Sequence, residues 1–280
     1  MTRKITAYYA EKTENTDSVS EILYVEIGAK EIVCLIKASE SQLIAGFEYF
    51  LIEKPDKGWS DIFEDLISKS LLLNKSYLET HCIYNFEEAV IIPKEKFIAG
   101  SAEDYLSLLY GENNECDMKF DSLTPIAEIN IAFRIDKLLT DCLNKKFVLY
   151  KSNHVYYKIL KDILIRKENE PHFVKIKLYN THMIIAILKG GILQIIQSFT
   201  YEKTEDILYH LINCCKQFEV NVLIAELEIS GFLDDNSILL AQLQNYFGKT
   251  TLEQMPLTGV FENRDDYPPH TFTHYSKLVL

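Results

Sequence analysis

Glycine is scarce in this chain of 280 residues: 10 glycines stand against 17 tyrosines and 15 phenylalanines. Loops that wrap a phosphate with backbone N–H groups are rich in glycine, because a side chain would block the close approach. The sequence also lacks the GxGxxG, GxxxxGKS/T and GxSxG signatures. These absences argue against Rossmann dinucleotide enzymes, P-loop nucleotide hydrolases and serine hydrolases.

Metal-binding and disulfide patterns are missing as well. None of the six cysteines belongs to a CxxC pair or to a Cys/His metal spacing, and there is no HExxH motif. His270 and His274 stand four apart, which suits a metal only on a helix, but Pro268-Pro269 just before them favours an extended chain. We therefore expect no metal site, and reduced thiols that serve as small core residues.

The sequence has no long apolar run, and it has fewer basic than acidic residues. No run reaches the eighteen or so residues of a membrane span, and the N-terminal residues lack the apolar core of a signal peptide. The 29 basic and 41 acidic residues give a net charge of −12, which repels a nucleic-acid backbone. These features predict a cytoplasmic protein without a transmembrane segment or direct nucleic-acid binding.

What the sequence does contain is one order of elements that occurs twice. The first occurrence has strands near 21–27, 30–37 and 42–52, followed by an amphipathic helix from Trp59 to Leu72. The second has strands near 173–179, 182–189 and 192–200, followed by a helix capped by Thr204, a buried strand, a turn at Ser230-Gly231 and a last helix. We interpret this repetition as the duplication of one strand–hairpin–helix unit.

The predicted domains follow from that duplication. They are a flexible N-terminal segment (1–20), a first half (21–150), a connecting helix and linker (151–170), a second half (171–255) and an irregular C-terminal tail packed on the fold (256–280).

Three antiparallel strands, a helix and further alternating strands and helices are the layout of a ribonuclease-H-like half. Two such halves in tandem resemble the actin-like ATPase superfamily. The segments LYVEIGAKEIVCLI, AVIIPKEKF and HTFTHYSKLVL look like those of an uncharacterised bacterial family with a degenerate actin-like fold, distantly similar to actin-like proteins of pilus assembly and type II secretion. The resemblance covers residues 20 to 280 and implies an α/β fold of two mixed sheets flanked by helices.

The resemblance also implies a nucleotide cleft between the halves. In the superfamily an Asp-x-Gly at the end of each first strand handles Mg²⁺ and the attacking water, each hairpin turn wraps a phosphate, and a late Gly-Gly turn receives the adenosine. The matching positions in this chain are Glu26, Gly28, Lys177, Asn180, Ser230 and Gly231.

This sequence departs from the superfamily pattern at each of those places. Glu26-Ile27-Gly28 keeps the charge and the glycine but extends the carboxylate by one methylene. Lys177-Leu178-Tyr179 replaces the second carboxylate by a cation and the glycine by a bulky ring, and the Gly-Gly turn survives at most as Ser230-Gly231. The site is thus expected to be degenerate, with no catalytic residue and no bound cofactor.

Several functional readings remain open from the sequence. The leading one is a non-catalytic binding or assembly protein, a pseudo-ATPase, with a basic protein or peptide as partner. The alternative is an active ATPase or small-molecule kinase that uses Glu26 with ATP and Mg²⁺; an RNA-linked accessory factor fits the acidic charge poorly. Because charged residues at strand ends are usually exposed, we expect a solvated or inter-domain Glu26 and an outward-pointing Lys177.

Overall fold

The computed structural model describes residues 1–10, 21–38, 43–166, 171–233, 237–254 and 270–279. Contacts divide the chain into two compact units, the first built mainly from Met1–Lys158 and the second mainly from Ile159–Pro256.

The first unit contains nine strands and three helices within its described part. In chain order they are β1 (Thr2–Tyr9), β2 (Glu21–Gly28), β3 (Glu31–Ala38), β4 (Ile44–Ile52), α1 (Trp59–Lys69), β5 (Glu79–Asn85), β6 (Ala89–Pro93), α2 (Ala102–Tyr110), β7 (Cys116–Ser122), β8 (Ile129–Asp136), α3 (Lys137–Lys146) and β9 (Lys151–His154). Six strands form one sheet in the order β1-β4-β3-β2-β5-β9, and a smaller sheet has the order β6-β8-β7.

The helix α4 (Val155–Arg166) contains the boundary between the units. The second unit continues with β10 (His172–Leu178), β11 (His182–Lys189), β12 (Ile192–Thr200), α5 (Thr204–Gln217), β13 (Glu226–Gly231), α6 (Ile238–Tyr246), β14 (Lys249–Leu252) and α7 (His270–Ser276). Its strands form a single sheet in the order β12-β11-β10-β13-β14.

The two large sheets share one topology. In the first, β4-β3-β2 are antiparallel neighbours and β5 and β9 continue in parallel with β2. In the second, β12-β11-β10 are antiparallel and β13 and β14 continue in parallel with β10. The order of strands and their directions therefore repeat, and the predicted duplicated α/β architecture is confirmed.

The central strands are buried on both faces, which is why apolar residues occupy consecutive positions in them and do not alternate strictly with polar residues. In β10 every residue after His172 is buried, as expected for a strand with parallel pairing and cover on both faces. Residues Val174 and Ile185 of this sheet share one buried cluster with Ile207 and Leu211 of α5. That helix begins at Thr204 rather than being capped by it, because the carboxylate of Asp206 accepts the N–H groups of Glu202 and Lys203.

The N-terminal prediction of a flexible segment over 1–20 is wrong for its first part, because Thr2–Tyr9 forms β1 along the edge of β4. The fully buried carboxylate of Glu48 holds this strand: its Oε1 accepts from Lys4 Nζ at 2.9 Å and from the Tyr9 hydroxyl at 2.5 Å. Residues 11–20 lie outside the described part of the chain.

Two further predictions from the sequence need correction. Lys151–His154 was assigned to a connecting helix, but it forms β9 and pairs with β5. The tail was expected to be irregular after residue 255, but His270–Ser276 is the helix α7, whose residues are all buried. Packing on β13 stabilises this helix, which no local pattern in the sequence revealed.

Replacing Glu48 tests what holds β1 in place. Burial alone would raise the pKa of this carboxyl, but hydrogen bonds from Ser70, Tyr9 and Lys4 lower it overall, so its stabilising contribution is lost as the pH falls. We expect Glu48→Ala to lower the free energy of unfolding by about 3 kcal/mol at neutral pH, because it leaves buried partners unpaired.

The matched control is Glu53→Ala, which removes the exposed ion pair between Arg3 of β1 and Glu53, the residue that follows β4. Exposed pairs contribute about 0–1 kcal/mol. Urea denaturation of both variants measures the difference, and equal losses would show that Glu48 does not anchor the strand.

Candidate functional site

The ends of parallel strands bring the first group of predicted site residues together. Glu26 lies near the end of β2 and is 3% exposed; its Oε1 accepts a hydrogen bond of 2.8 Å from Asn85 Nδ2 at the end of β5. Gly28 pairs with Asn85, and a Cβ on Gly28 would lie 3.1 Å from the Asn85 carbonyl oxygen. Of the two expected settings, a solvated Glu26 is wrong, because the side chain is buried with an amide donor from the neighbouring strand; an inter-domain Glu26 stays a prediction.

The second group lies at the ends of β10 and β13. Lys177 pairs with Ser230 and Leu178 with Gly231 across these parallel strands. Lys177 is 4% exposed and Ser230 is fully buried, whereas Asn180 is exposed in the turn after β10. Lys177 does not point outward as expected, because both faces of this central strand are covered.

Ser230-Gly231 is the end of a strand, not the predicted turn. Gly231 has φ of +102°, and a Cβ there would lie 1.9 Å from the carbonyl oxygen of Leu178. Only glycine permits this conformation and this approach. The glycine at 231, from which the sequence predicts a turn, is thus required by the close packing of β13 on β10.

The turn between β10 and β11 is closed by a tyrosine. The Tyr179 N–H donates to the His182 carbonyl oxygen at 2.9 Å, and the Tyr201 hydroxyl donates to the Tyr179 carbonyl oxygen. The fully buried Tyr179 ring stacks on His182 with ring centroids 4.4 Å apart. The strand registers place Glu26 opposite Val33 and Lys177 opposite Ile184, so Tyr179 stands in the second hairpin where Gly28 stands in the first.

A network of ion pairs surrounds Glu253: burial raises the pKa of this carboxyl, whereas Lys175, Lys277 and, to a smaller extent, Lys177 lower it. Lys175 Nζ lies 2.7 Å from Glu228 and 2.5 Å from Glu253, and Lys277 Nζ lies 2.5 Å from Glu253. Three carboxylates and three cations take part: Asp162, Glu228, Glu253, Arg166, Lys175 and Lys277. The carboxylate oxygens lie within 4.8 Å of one another, a spacing that suits a metal ion, but the three cations already neutralise them.

The two histidines of α7 are on a helix, contrary to the extended chain expected for them. His270 Nε2 contacts the Leu233 carbonyl oxygen at 2.6 Å. His274 is fully buried against Tyr179 and Tyr275, and burial, reinforced by Lys177, holds its pKa well below the usual value. Burial thus disfavours a charge on the His274 imidazole, which packs against the Tyr179 ring.

Sequence reasoning missed a third polar group, at the end of β9. Asp121 accepts the His154 N–H at 2.6 Å and Asn153 Nδ2 at 3.1 Å, and burial raises its pKa to about 6. His154 Nδ1 accepts from the Tyr156 N–H, so Nε2 donates to the Phe86 carbonyl oxygen; burial lowers the pKa of this imidazole to about 4. No local signal marked this group, because β9 (KSNH) and β7 (CDMKFDS) are not apolar strands.

The repeated strand order is that of the actin-like ATPase fold, and solved structures bear this out. A Bacteroides thetaiotaomicron protein with an actin-like ATPase fold and unknown function is similar to this chain with a TM-score of 0.80 and 17% identity, over 96% of this chain and all of that one. The PilM–PilN type IV pilus biogenesis complex matches with a TM-score of 0.59 and 11% identity, over 94% of this chain and 98% of that one. The ethanolamine utilization protein EutJ from Carboxydothermus hydrogenoformans matches with a TM-score of 0.50 and 7% identity, over 97% and 92%.

The chain belongs to the family of proteins of unknown function DUF3822, whose sequence profile matches residues 10–249. A search of curated proteins gave no match. The resemblance to an uncharacterised family with an actin-like fold is thereby confirmed, and so is the duplicated ribonuclease-H-like fold class. Within the described residues, no helix has the length and apolar character that crossing a bilayer requires.

The ion-pair network predicts a specific acid sensitivity. Burial alone would raise the pKa of Glu253, but Lys175 and Lys277 lower it to about 2. A carboxyl with a depressed pKa stabilises the fold above its unfolded pKa of about 4.3, and this contribution is lost as the pH falls toward about 2. We expect Glu253→Gln to cost about 3 kcal/mol of unfolding free energy at pH 7 and about half of that near pH 3, where the folded-state carboxyl is still mostly ionised.

The exposed Glu205 provides the control, because Glu205→Gln removes one carboxylate from the same unit without touching the network. Urea denaturation at several pH values gives the comparison. If the loss caused by Glu253→Gln were the same at pH 7 and pH 3, the network would not depend on the ionised carboxylate.

Proposed function

We propose that this protein is a non-catalytic actin-like binding or assembly protein whose nucleotide site has degenerated. One observation carries the proposal. In the turn after β10, the Tyr179 N–H is bonded to the His182 carbonyl oxygen and the Tyr179 ring fills the space beside it. A phosphate needs free backbone N–H groups in such a turn, and here the Tyr179 N–H is already bonded.

The charges at the strand ends support the same conclusion. Lys177 stands where the second half would need a carboxylate for Mg²⁺. In the first half, the carboxylate of Glu26 is buried and accepts a hydrogen bond from the Asn85 side-chain amide. Magnesium requires an octahedron of oxygens and retains several waters. These residues do not suit a magnesium–nucleotide complex, and we derive no catalytic step through one.

A second candidate function is an active ATPase or small-molecule kinase. It is favoured by Glu26, Gly28 and Asn85, which form a carboxylate, a glycine and an amide at the ends of two parallel strands. Ligands of open α/β sheets bind at such ends. In this alternative, ATP and Mg²⁺ would be cofactors and Glu26 the essential carboxylate.

A basic protein or peptide is the partner we propose. The net charge of −12 steers a cationic partner toward the chain. A groove of about 580 Å³ in the first unit is lined by Glu112 and Asp117, together with Lys137 and with Glu103, which pairs with Arg134, and offers a place for a basic segment. The PilM–PilN complex provides a precedent for a protein of similar fold in a complex with another protein. All six cysteines are free thiols, which fits a reducing cytoplasm.

Nucleotide binding and turnover separate the two candidates. We expect no change in thermal midpoint with ATP, ADP or GTP, with or without Mg²⁺, and no hydrolysis above background. A ligand at a hundred times its Kd would stabilise the fold by about 2.7 kcal/mol, which is easily measured. Steady turnover that disappears in Glu26→Gln but persists in the surface variant Glu64→Gln would promote the ATPase instead.

Affinity purification from the native cell, at about 50 mM and about 500 mM salt, tests the partner. We expect a basic protein that is enriched at the lower salt and lost from Glu112→Lys/Asp117→Lys. The control Asp56→Lys/Glu64→Lys changes the net charge equally at exposed positions of the same unit, outside the residues that line the groove. Equal loss from both double variants would exclude the groove, and a co-purified small molecule without any protein would contradict the proposal.

A further inference from the structure

The loop between α3 and β9, residues 147–150, exposes two adjacent aliphatic side chains. Val148 is 98% exposed and Leu149 is 86% exposed, the highest values among the large hydrophobic residues in the described part of the chain. Single exposed apolar residues are ordinary on a protein surface, whereas a contiguous exposed group marks a surface that contacts something else.

A third exposed side chain extends this apolar group. Leu78 directly precedes β5 and is 63% exposed. β5 and β9 are parallel neighbours in the first sheet, so the segments that lead into them lie at the same end of the sheet. Leu78 therefore lies at the same end as Val148 and Leu149, and these three residues together are the apolar tip.

The loop that carries the apolar tip is held in shape by the residues at its base. The Phe147 N–H donates to the Leu143 carbonyl oxygen at 2.8 Å, which ends α3. The rings of Phe147 and Tyr150 contact each other with centroids 6.3 Å apart, and the Tyr150 hydroxyl donates to Asn144 Oδ1 at 3.3 Å. These contacts occupy the two aromatic residues and leave the aliphatic residues between them in solvent.

The loop is flanked by positive charge in a chain of the opposite sign. Lys145 and Lys146 precede it and Lys151 follows it. Residues 142–161 include no Asp or Glu, although the chain has 41 acidic residues. Lys151 is paired with Glu79, so the lysines at the end of α3 provide the net positive charge beside the tip.

We propose that the apolar tip is a membrane-binding element that inserts into the surface of an anionic lipid bilayer. Aliphatic side chains enter the boundary between headgroups and acyl chains, while lysines on flexible stems keep their ammonium groups at the level of the anionic headgroups. An aromatic ring with a polar end, such as Tyr150, suits the same level of the bilayer. The attachment is peripheral and reversible, because only a few side chains insert.

The small size of the tip selects a bilayer over a protein partner. A specific protein interface takes about 20–30 residues from each side, whereas the apolar tip consists of three protruding side chains. A fluid lipid surface closes around such side chains, and its charge attracts nearby lysines within about 10 Å at 0.1 M salt. Acidic residues farther away are screened over the same distance. This inference does not depend on the proposed function, because it concerns neither the groove nor the strand ends.

Flotation of the full chain with vesicles tests the proposal. We expect binding to vesicles of equal parts phosphatidylcholine and phosphatidylserine, and weaker binding to phosphatidylcholine alone or at about 500 mM salt. Val148→Ser/Leu149→Ser should weaken binding by about tenfold or more, because it removes the inserted side chains. The matched control is Leu108→Ser/Leu109→Ser, the same kind of change at two adjacent exposed residues of α2, which should leave binding unchanged.

The lysines and the insertion are tested separately. Lys145→Gln/Lys146→Gln should weaken binding several-fold, whereas Lys54→Gln/Lys57→Gln removes the same charge from exposed positions beyond β4, near the other edge of the sheet, and should not. In Leu149→Trp, fluorescence emission should shift to the blue on the mixed vesicles. The natural chain, whose single tryptophan lies in α1, should show no such shift.

Thermal midpoints equal to that of the natural sequence show that the variants are folded. A natural chain that does not float with the mixed vesicles overturns the proposal, and so does equal loss of binding from the tip variant and its α2 control. If the chain binds no vesicles but Val148→Ser/Leu149→Ser loses a protein in affinity purification, the tip docks a protein and the bilayer proposal is wrong.

Discussion

The second unit depends on a lysine at the centre of its sheet. Lys175 is 2% exposed on β10, and a buried cation must be paired, because its desolvation is costly. Glu228 lies opposite it on β13, and Glu253 after β14 binds the same ammonium group. Arg166 of α4 and Lys277 supply further cations for these carboxylates, so the network joins five parts of the unit: β10, β13, the residue after β14, α4 and Lys277.

The two halves have kept one topology and diverged in the chemistry of their strand ends. In the first half, a buried carboxylate is paired with a neutral amide, Glu26 with Asn85. In the second half, the equivalent position is Lys177, next to a tyrosine that closes the turn. Backbone pairing and apolar burial maintain the strand order, so the fold tolerates the replacement of single polar side chains. Ligand binding depends on a few side chains, so the same replacements change it.

Much of the fold was predictable because its signals are local. The hairpins, the helix from Trp59 and the helix from Thr204 follow from the period of their apolar residues. β1 was missed because its anchor, Glu48, lies about forty residues away in the sequence. The helix α7 was missed because its stability comes from packing on β13, which outweighs the two prolines that precede it.

The duplicated order of elements and the acidic charge could be read from the amino-acid pattern, which also predicts a degenerate nucleotide site. The burial of Glu26 and Lys177, the hydrogen bond from Asn85 to Glu26 and the place of Gly231 in strand packing became visible in the folded chain. The physical reason is the range of the interactions. Periodicity and turn chemistry act between neighbours in the chain, whereas burial, ion pairing and close backbone approach are set by residues that only the fold brings together.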